Sequence, residues 1–123
     1  DVELTICGRT VHVLNTHLGL WPRERPQQAD RLLELLSLSR RDLTILMGDL
    51  NEWHGWGKSL RGLRRVFGSP AAPVTFPARW PVLALDRIWI FPAQALLTVE
   101  AHDTPRSRLA SDHLPVKADI YLP

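Results

Sequence analysis

The chain has a single cysteine, Cys7, in 123 residues. That excludes an internal disulfide and argues against a thiolate metal cluster. Lysine is almost absent too, with 2 Lys against 13 Arg, and the formal net charge is only +2. So small an excess argues against a dedicated nucleic-acid binder. No apolar run approaches the length needed to cross a bilayer, so no transmembrane segment is expected; the compartment is not read from the sequence, a cytoplasmic or peripheral-membrane place being the expectation. The Walker loop, the dinucleotide glycine fingerprint, H-E-x-x-H, paired C-x-x-C and G-x-S-x-G are all missing, and with them the chemistries they serve. The five histidines show no metal-ligand spacing that would support a zinc site.

What remains is ordinary globular composition, 45% apolar and 23% charged, enough for one domain with a modest core. Arginines cluster at 23/25, 40/41, 61/64/65 and 106/108. Their planar forks permit phosphate contact, although a solvated surface is the plainer reading of any one cluster.

The patterning predicts a layered α/β (α+β) domain in which strands outnumber helices. "ELTIC" and "VHVLNTH" flank "GRT" as a hairpin, with Cys7 inside the first strand and Val11, Val13, Asn15 and His17 on one face of the second. Ala29, Leu32, Leu33 and Leu36 fall at helical spacing and predict a helix over 27–39. "DLTILM" (42–47) reads as a central strand covered on both faces. Leu60, Leu63 and Phe67 predict a second helix capped by Gly68. The proline-rich stretch 69–81 reads as an irregular loop lining a cleft. Strands follow at about 83–90, 95–101 and 116–121, the last with Val116, Ala118 and Ile120 inward.

Four stretches put polar side chains where strands should end: "NTHLG" (15–19), "GDLNEW" (48–53), "LDRIW" (85–89) and "SDHLPV" (111–116). Each has a structural explanation when taken alone. Asp49 and Asn51 suit an Asx turn, His17 a half-buried histidine, and Asp112-His113 a turn cap. Asp86 is harder to place, because a carboxylate between Leu85 and Ile88 is costly to bury without a partner. Together, these carboxylates, amides and imidazoles form the inventory of metal-assisted phosphodiester hydrolysis: ligands for a hard cation, a group to align water, and donors for phosphate oxygens.

In that order, the four stretches resemble the endonuclease/exonuclease/phosphatase family, which includes relatives of pancreatic deoxyribonuclease, neutral sphingomyelinase and inositol-polyphosphate 5-phosphatases. The resemblance runs from the first hairpin to the last strand. It implies a deoxyribonuclease-like four-layer sandwich, of which residues 1–123 would supply the C-terminal part, about half. By the same resemblance Asp49 orients or deprotonates the attacking water, and Asn51 contacts the phosphate or nucleophile. His113 binds a non-bridging oxygen while Asp86 orients it. His17, supported by Asn15, serves the leaving group or the phosphate, and Asp112 is a metal ligand or lies beside one. The cofactor implied is Mg²⁺, or Mn²⁺.

One departure matters. The family's principal metal-binding glutamate comes from an N-terminal half without a counterpart here, so the 123 residues alone are expected to bind metal poorly, expose an apolar sheet face and be weakly active. The histidine of "NTHLG" argues against the abasic-site repair branch. "TFPARWP" with "LALDRIWI" is more similar to small bacterial proteins of unassigned substrate, some of which resemble lipid-remodelling or phospholipid-acting phosphodiesterases. The substrate is a phosphate ester, a nucleic acid or a lipid headgroup. Trp21, Trp53, Trp56 and Trp80 fall in or beside the site loops, where they could hold a lipid or stack on a base, with core packing expected for at least two of them. The alternative from another class is a remnant or interaction module that keeps the fold without the chemistry.

Overall fold

The computed structural model describes residues 1–38, 43–53, 57 and 60–122. β1 (Val2–Ile6) and β2 (Arg9–His17) form the expected antiparallel hairpin. Ile6 pairs with Arg9, so only Cys7 and Gly8 are left to reverse the chain. Both have positive φ, 52° and 76°, as a tight two-residue hairpin turn requires. Cys7 is therefore an exposed turn residue, contrary to its expected place inside a strand.

α1 (Arg25–Leu38) carries the chain across to β3 (Leu43–Asp49), which lies parallel to β2. α1 starts two residues before the periodicity suggested. Pro26 sits in its first turn, where a missing N–H costs nothing. Residues 39–42, the expected end of the helix and start of the strand, lie outside the described residues. α2 (Arg61–Phe67) ends on Gly68 as expected, with φ 77° and its N–H bonded to the Arg64 carbonyl at 2.8 Å. β4 (Asp86–Phe91) then pairs antiparallel with β3, completing a sheet of order β1-β2-β3-β4.

β5 (Leu96–Ala101) and β6 (Val116–Ile120) form a separate antiparallel pair. In β6 Val116, Ala118 and Ile120 are half-buried and Lys117 and Asp119 exposed, the alternation expected. A 3-10 turn at Ala93–Ala95 and a four-residue α3 (Ser107–Ala110) complete the chain. Neither is long enough to leave a periodic signal. α3 is started by the Ser107 hydroxyl, which accepts the Thr104 N–H at 2.8 Å and donates to the His102 carbonyl at 2.8 Å.

Two apolar clusters result. On one face of the large sheet, Leu14, Leu46 and Trp89 pack under Ala29, Leu32 and Leu36 of α1 and Leu63 and Phe67 of α2. On the other, Val11, Leu43 and Ile90 meet Ala95, with Leu96 and Ile120 of the small sheet packed against them. Towards the other end of that face Val13, Ile45 and Ile88 are only half-buried. Central β3 is thus fully covered on its helix side and only partly covered on the other. The molecule is a mixed α/β arrangement of two sheets with helices, in keeping with the expected fold class.

Candidate functional site

Register explains the site. β2 and β3 run parallel and β4 returns antiparallel, so the C-terminal ends of the first two meet the start of the third. His17 pairs with Asp49, and Asp49 with Asp86. Side chains two apart along a strand share a face. These three therefore continue the face of Val13, Ile45 and Ile88, as its polar end. Asp86, expected inside an apolar strand, is its first residue.

Asp49 is fixed from below by its own turn. Its Oδ1 accepts the Asn51 N–H at 2.8 Å. Its Oδ2 faces His17 Nε2 at 3.6 Å and His113 Nε2 at 3.9 Å. Both separations are too long for direct hydrogen bonds. Gly48, just before it, adopts φ 134°, and a Cβ there would lie 1.8 Å from the Thr16 carbonyl oxygen. Only glycine lets β3 approach β2 this closely immediately before the carboxylate.

Asp86 has the partners that burial demanded. Its Oδ2 accepts the Thr75 hydroxyl at 2.5 Å and lies 2.8 Å from His113 Nδ1. If Nδ1 carries the proton it donates to Asp86, which turns Nε2 towards Asp49. Burial pulls the His113 pKa down. The Asp86 hydrogen bond and the charges of Asp86, Asp49 and Asp112 together outweigh it, and the imidazole titrates above its usual value. The Phe76 ring rests against that imidazole with centroids 4.8 Å apart.

Asn51 is buried, with φ 48°, and its Nδ2 donates to the Leu18 carbonyl at 2.7 Å. Leu18 N–H in turn donates to the Asp49 carbonyl, and Leu50 N–H to that of Leu85. The loops after β2 and β3 and the segment before β4 are thereby tied at their roots. Asn15 is exposed and, with Met47, Ile88, His113 and Val116, lines a shallow depression beside Asp86.

Asp49, Asp86 and His113 each offer one ligand atom within 4.8 Å of the others, a group that could hold a metal ion. Asp112 is exposed and lies outside that group; its backbone carbonyl accepts the Ala78 N–H at 2.7 Å. Of the other histidines, His12 is buried against Asp1 and His102 is exposed far along the chain. His54 and Trp56 lie outside the described residues.

The sequence did not single out Thr75 or the buried charges. Thr75 is fully buried, and its carbonyl accepts the Leu114 N–H at 2.9 Å. The loop that holds Asp86 therefore also places the residue after His113. Arg25, Glu52 and Arg87 are buried behind the site. Arg25 reaches Glu52 at 4.0 Å and bonds the Leu20 carbonyl at 2.7 Å. Burial, then the charge of Arg64, lowers the Arg87 pKa, with Asp86, Glu52 and Asp49 opposing. A charged residue flanking each motif was the only available signal. The tryptophans correct one expectation: Trp21, Trp53 and Trp80 are all exposed, and Trp89 is the core residue. At least two of the four named were expected to be core. Their loops project past the strand ends, so packing cannot reach them.

The family model for the endonuclease/exonuclease/phosphatase family matches residues 3–113. The uncharacterized protein YbhP of Escherichia coli (strain K12) is 35% identical over 124 residues, covering 94% of this chain and 48% of its own length. The chain thus spans about half the length of the curated relatives it matches. Among solved structures, an endonuclease/exonuclease/phosphatase from Bacteroides vulgatus superposes with a TM-score of 0.77 at 19% identity, covering 95% of this chain and 51% of that one. Beta toxin from Staphylococcus aureus gives 0.73 at 17%, covering 97% and 55%. At these identities the likeness shows the shared fold.

Proposed function

The chain belongs to the endonuclease/exonuclease/phosphatase family, and from that premise we propose that its site is the phosphate-handling part of a metal-dependent phosphodiesterase. The observation that carries this is the convergence of His17, Asp49, Asp86 and His113, from four separate stretches, on one polar sheet end.

In this reading the attacking water and a phosphate oxygen approach the polar end where both imidazoles face Asp49 Oδ2. Asp49 orients the water and accepts its proton. His113, held by Asp86 and Thr75, presents Nε2–H to a non-bridging oxygen, where negative charge develops. His17, which is exposed, serves the leaving oxygen, with Asn15 beside it as a substrate contact. Asn51 positions Asp49 through its backbone N–H, its role towards the phosphate being secondary to that bond.

The donor chemistry fits a hard divalent cation such as Mg²⁺ or Mn²⁺, since two carboxylates with waters satisfy its preference for oxygen. Asp86 Oδ2 already accepts the Thr75 hydroxyl, so Asp49 is the freer ligand, with exposed Asp112 as an outer one. When bound, the ion would offset charge on the phosphate. We further propose that residues 1–123 are the C-terminal part of one domain, and that full activity belongs to the longer protein. The half-covered sheet face and the half-length match to relatives support this reading.

The test is hydrolysis of bis-p-nitrophenyl phosphate by the protein at its full natural length, with and without Mg²⁺. Loss of activity in Asp49→Ala and in His113→Ala is expected. Full activity in both variants would sink the mechanism, and a parent inert on every phosphate ester tried would favour a remnant that keeps only the fold.

A further inference from the structure

Large apolar side chains scattered singly over a surface need no explanation. Here they gather. Trp21, Trp53 and Trp80 are 70%, 60% and 78% exposed, and Leu20 and Val82 beside them are 69% and 70% exposed. All five stand on the three segments that root the site. Trp21 lies three residues past Leu18, which is bonded to Asp49 and Asn51, and Trp53 two residues past Asn51. Trp80 lies in the loop closed by the Phe76–Leu83 bridge, whose Phe76 ring touches His113. No other tryptophan among the described residues is exposed; Trp89 is in the core.

We infer that this end of the molecule docks on the interface of an anionic phospholipid bilayer, presenting the site to headgroup phosphate. Tryptophan suits that boundary, with an apolar body for the acyl edge and an N–H for the wet side. Exposed Arg23, two residues past Trp21, and exposed Arg79, adjacent to Trp80, supply cations for the headgroups, the pairing found in interfacial segments. Base stacking on single-stranded nucleic acid would account for the tryptophans alone. It gives no use to Leu20 and Val82, which have no π-face. The substrate class follows if the phosphoesterase reading is right, since this inference rests on it for what the site does and not for whether the surface binds.

The experiment uses the full natural-length protein and vesicles of phosphatidylcholine with or without phosphatidylglycerol, read by co-sedimentation and by quenching of tryptophan emission by brominated lipid. Binding to the anionic vesicles is expected, with quenching. The double variant Trp21→Ser/Trp80→Ser should weaken binding by about ten-fold or more while leaving the denaturation midpoint and hydrolysis of soluble bis-p-nitrophenyl phosphate unchanged. Leu20→Ser should weaken it less, in the same direction. Absence of vesicle binding, or a double variant that binds as the parent does, overturns the inference. So does binding of oligo(dT) that the double variant loses while vesicles are ignored. Vesicle binding by a protein inert on soluble phosphate esters would uphold the surface and remove the phosphoesterase reading instead.

Discussion

On the helix side of the large sheet Leu14, Leu46 and Trp89 are 3%, 1% and 3% exposed. On the opposite side Val13, Ile45 and Ile88, their neighbours in the same three strands, are only half-buried. β1 continues that contrast, with Val2 and Leu4 aligned with Val13 and Val11 and themselves exposed. One face is a finished core, closed by helices that lie between its own strands in sequence. The other is closed at one end by β5–β6, is apolar and half-open in the middle, and is polar where His17, Asp49 and Asp86 stand. Stability and chemistry are therefore drawn from opposite faces of the same strands, and substitutions can separate them.

The largest effect belongs to the chemical face. Asp49→Ala should lower hydrolysis of bis-p-nitrophenyl phosphate by the full natural-length protein by about 10²–10⁴-fold, the range for a removed general base, with little change in denaturation midpoint. A drop in stability matching the drop in rate would mean the two faces are not separable. Next comes the core. Trp89→Ala, which also strips the ring packed 6.0 Å from Phe67, should cost about 3–5 kcal/mol by denaturant titration. Ile88→Ala, one residue away on the half-open face, should cost roughly 1–2 kcal/mol, because much of its surface stays in water. Equal losses would refute the contrast.

How much of this could be read from the sequence follows the same division. Helical spacing at Ala29, Leu32 and Leu36 and the alternation of β6 are local, and both were legible. So were the four polar stretches, because strand ends that stop being apolar stand out. Thr75 was not. It is one threonine in a proline-rich loop, and its hydrogen bond to Asp86 depends on a fold that brings residues 75, 86 and 113 together. Cys7 was misplaced for a related reason: a β-branched run signals a strand, but only the register with β2 says where it must turn. The exposed tryptophans show the limit of residue type alone, since Trp80 and Trp89 differ in burial only through the element that carries them.

Between the two faces lies the Thr75 bond, and its removal should be felt in both. Thr75→Val keeps the shape and leaves Asp86 short of one donor, at a cost of about 1–3 kcal/mol. The rate should also fall, because His113 loses the support that aims it. A stable variant with full activity would show that Asp86 needs only the imidazole.

The smallest effect separates charge from shape at the same place. Asp86→Asn can still accept from His113 Nδ1 through its amide oxygen but no longer holds the proton by charge. Burial, which lowers the His113 pKa, is then opposed by less, and the pKa should move downward from its raised value. The sign for stability follows from linkage. A histidine whose folded pKa is raised contributes stability that is complete below the ordinary value of 6.5 and is lost as pH rises through the raised folded value. The parent should therefore lose stability across that window and Asp86→Asn should lose less. His113 is partly exposed to solvent, so the difference is small. Its NMR titration with a chelator present, alongside denaturation midpoints at two pH values bracketing the window, measures both quantities. An unmoved titration would mean that Asp49 and Asp112 hold the imidazole proton without Asp86, and that Asp86 aims the ring and nothing more.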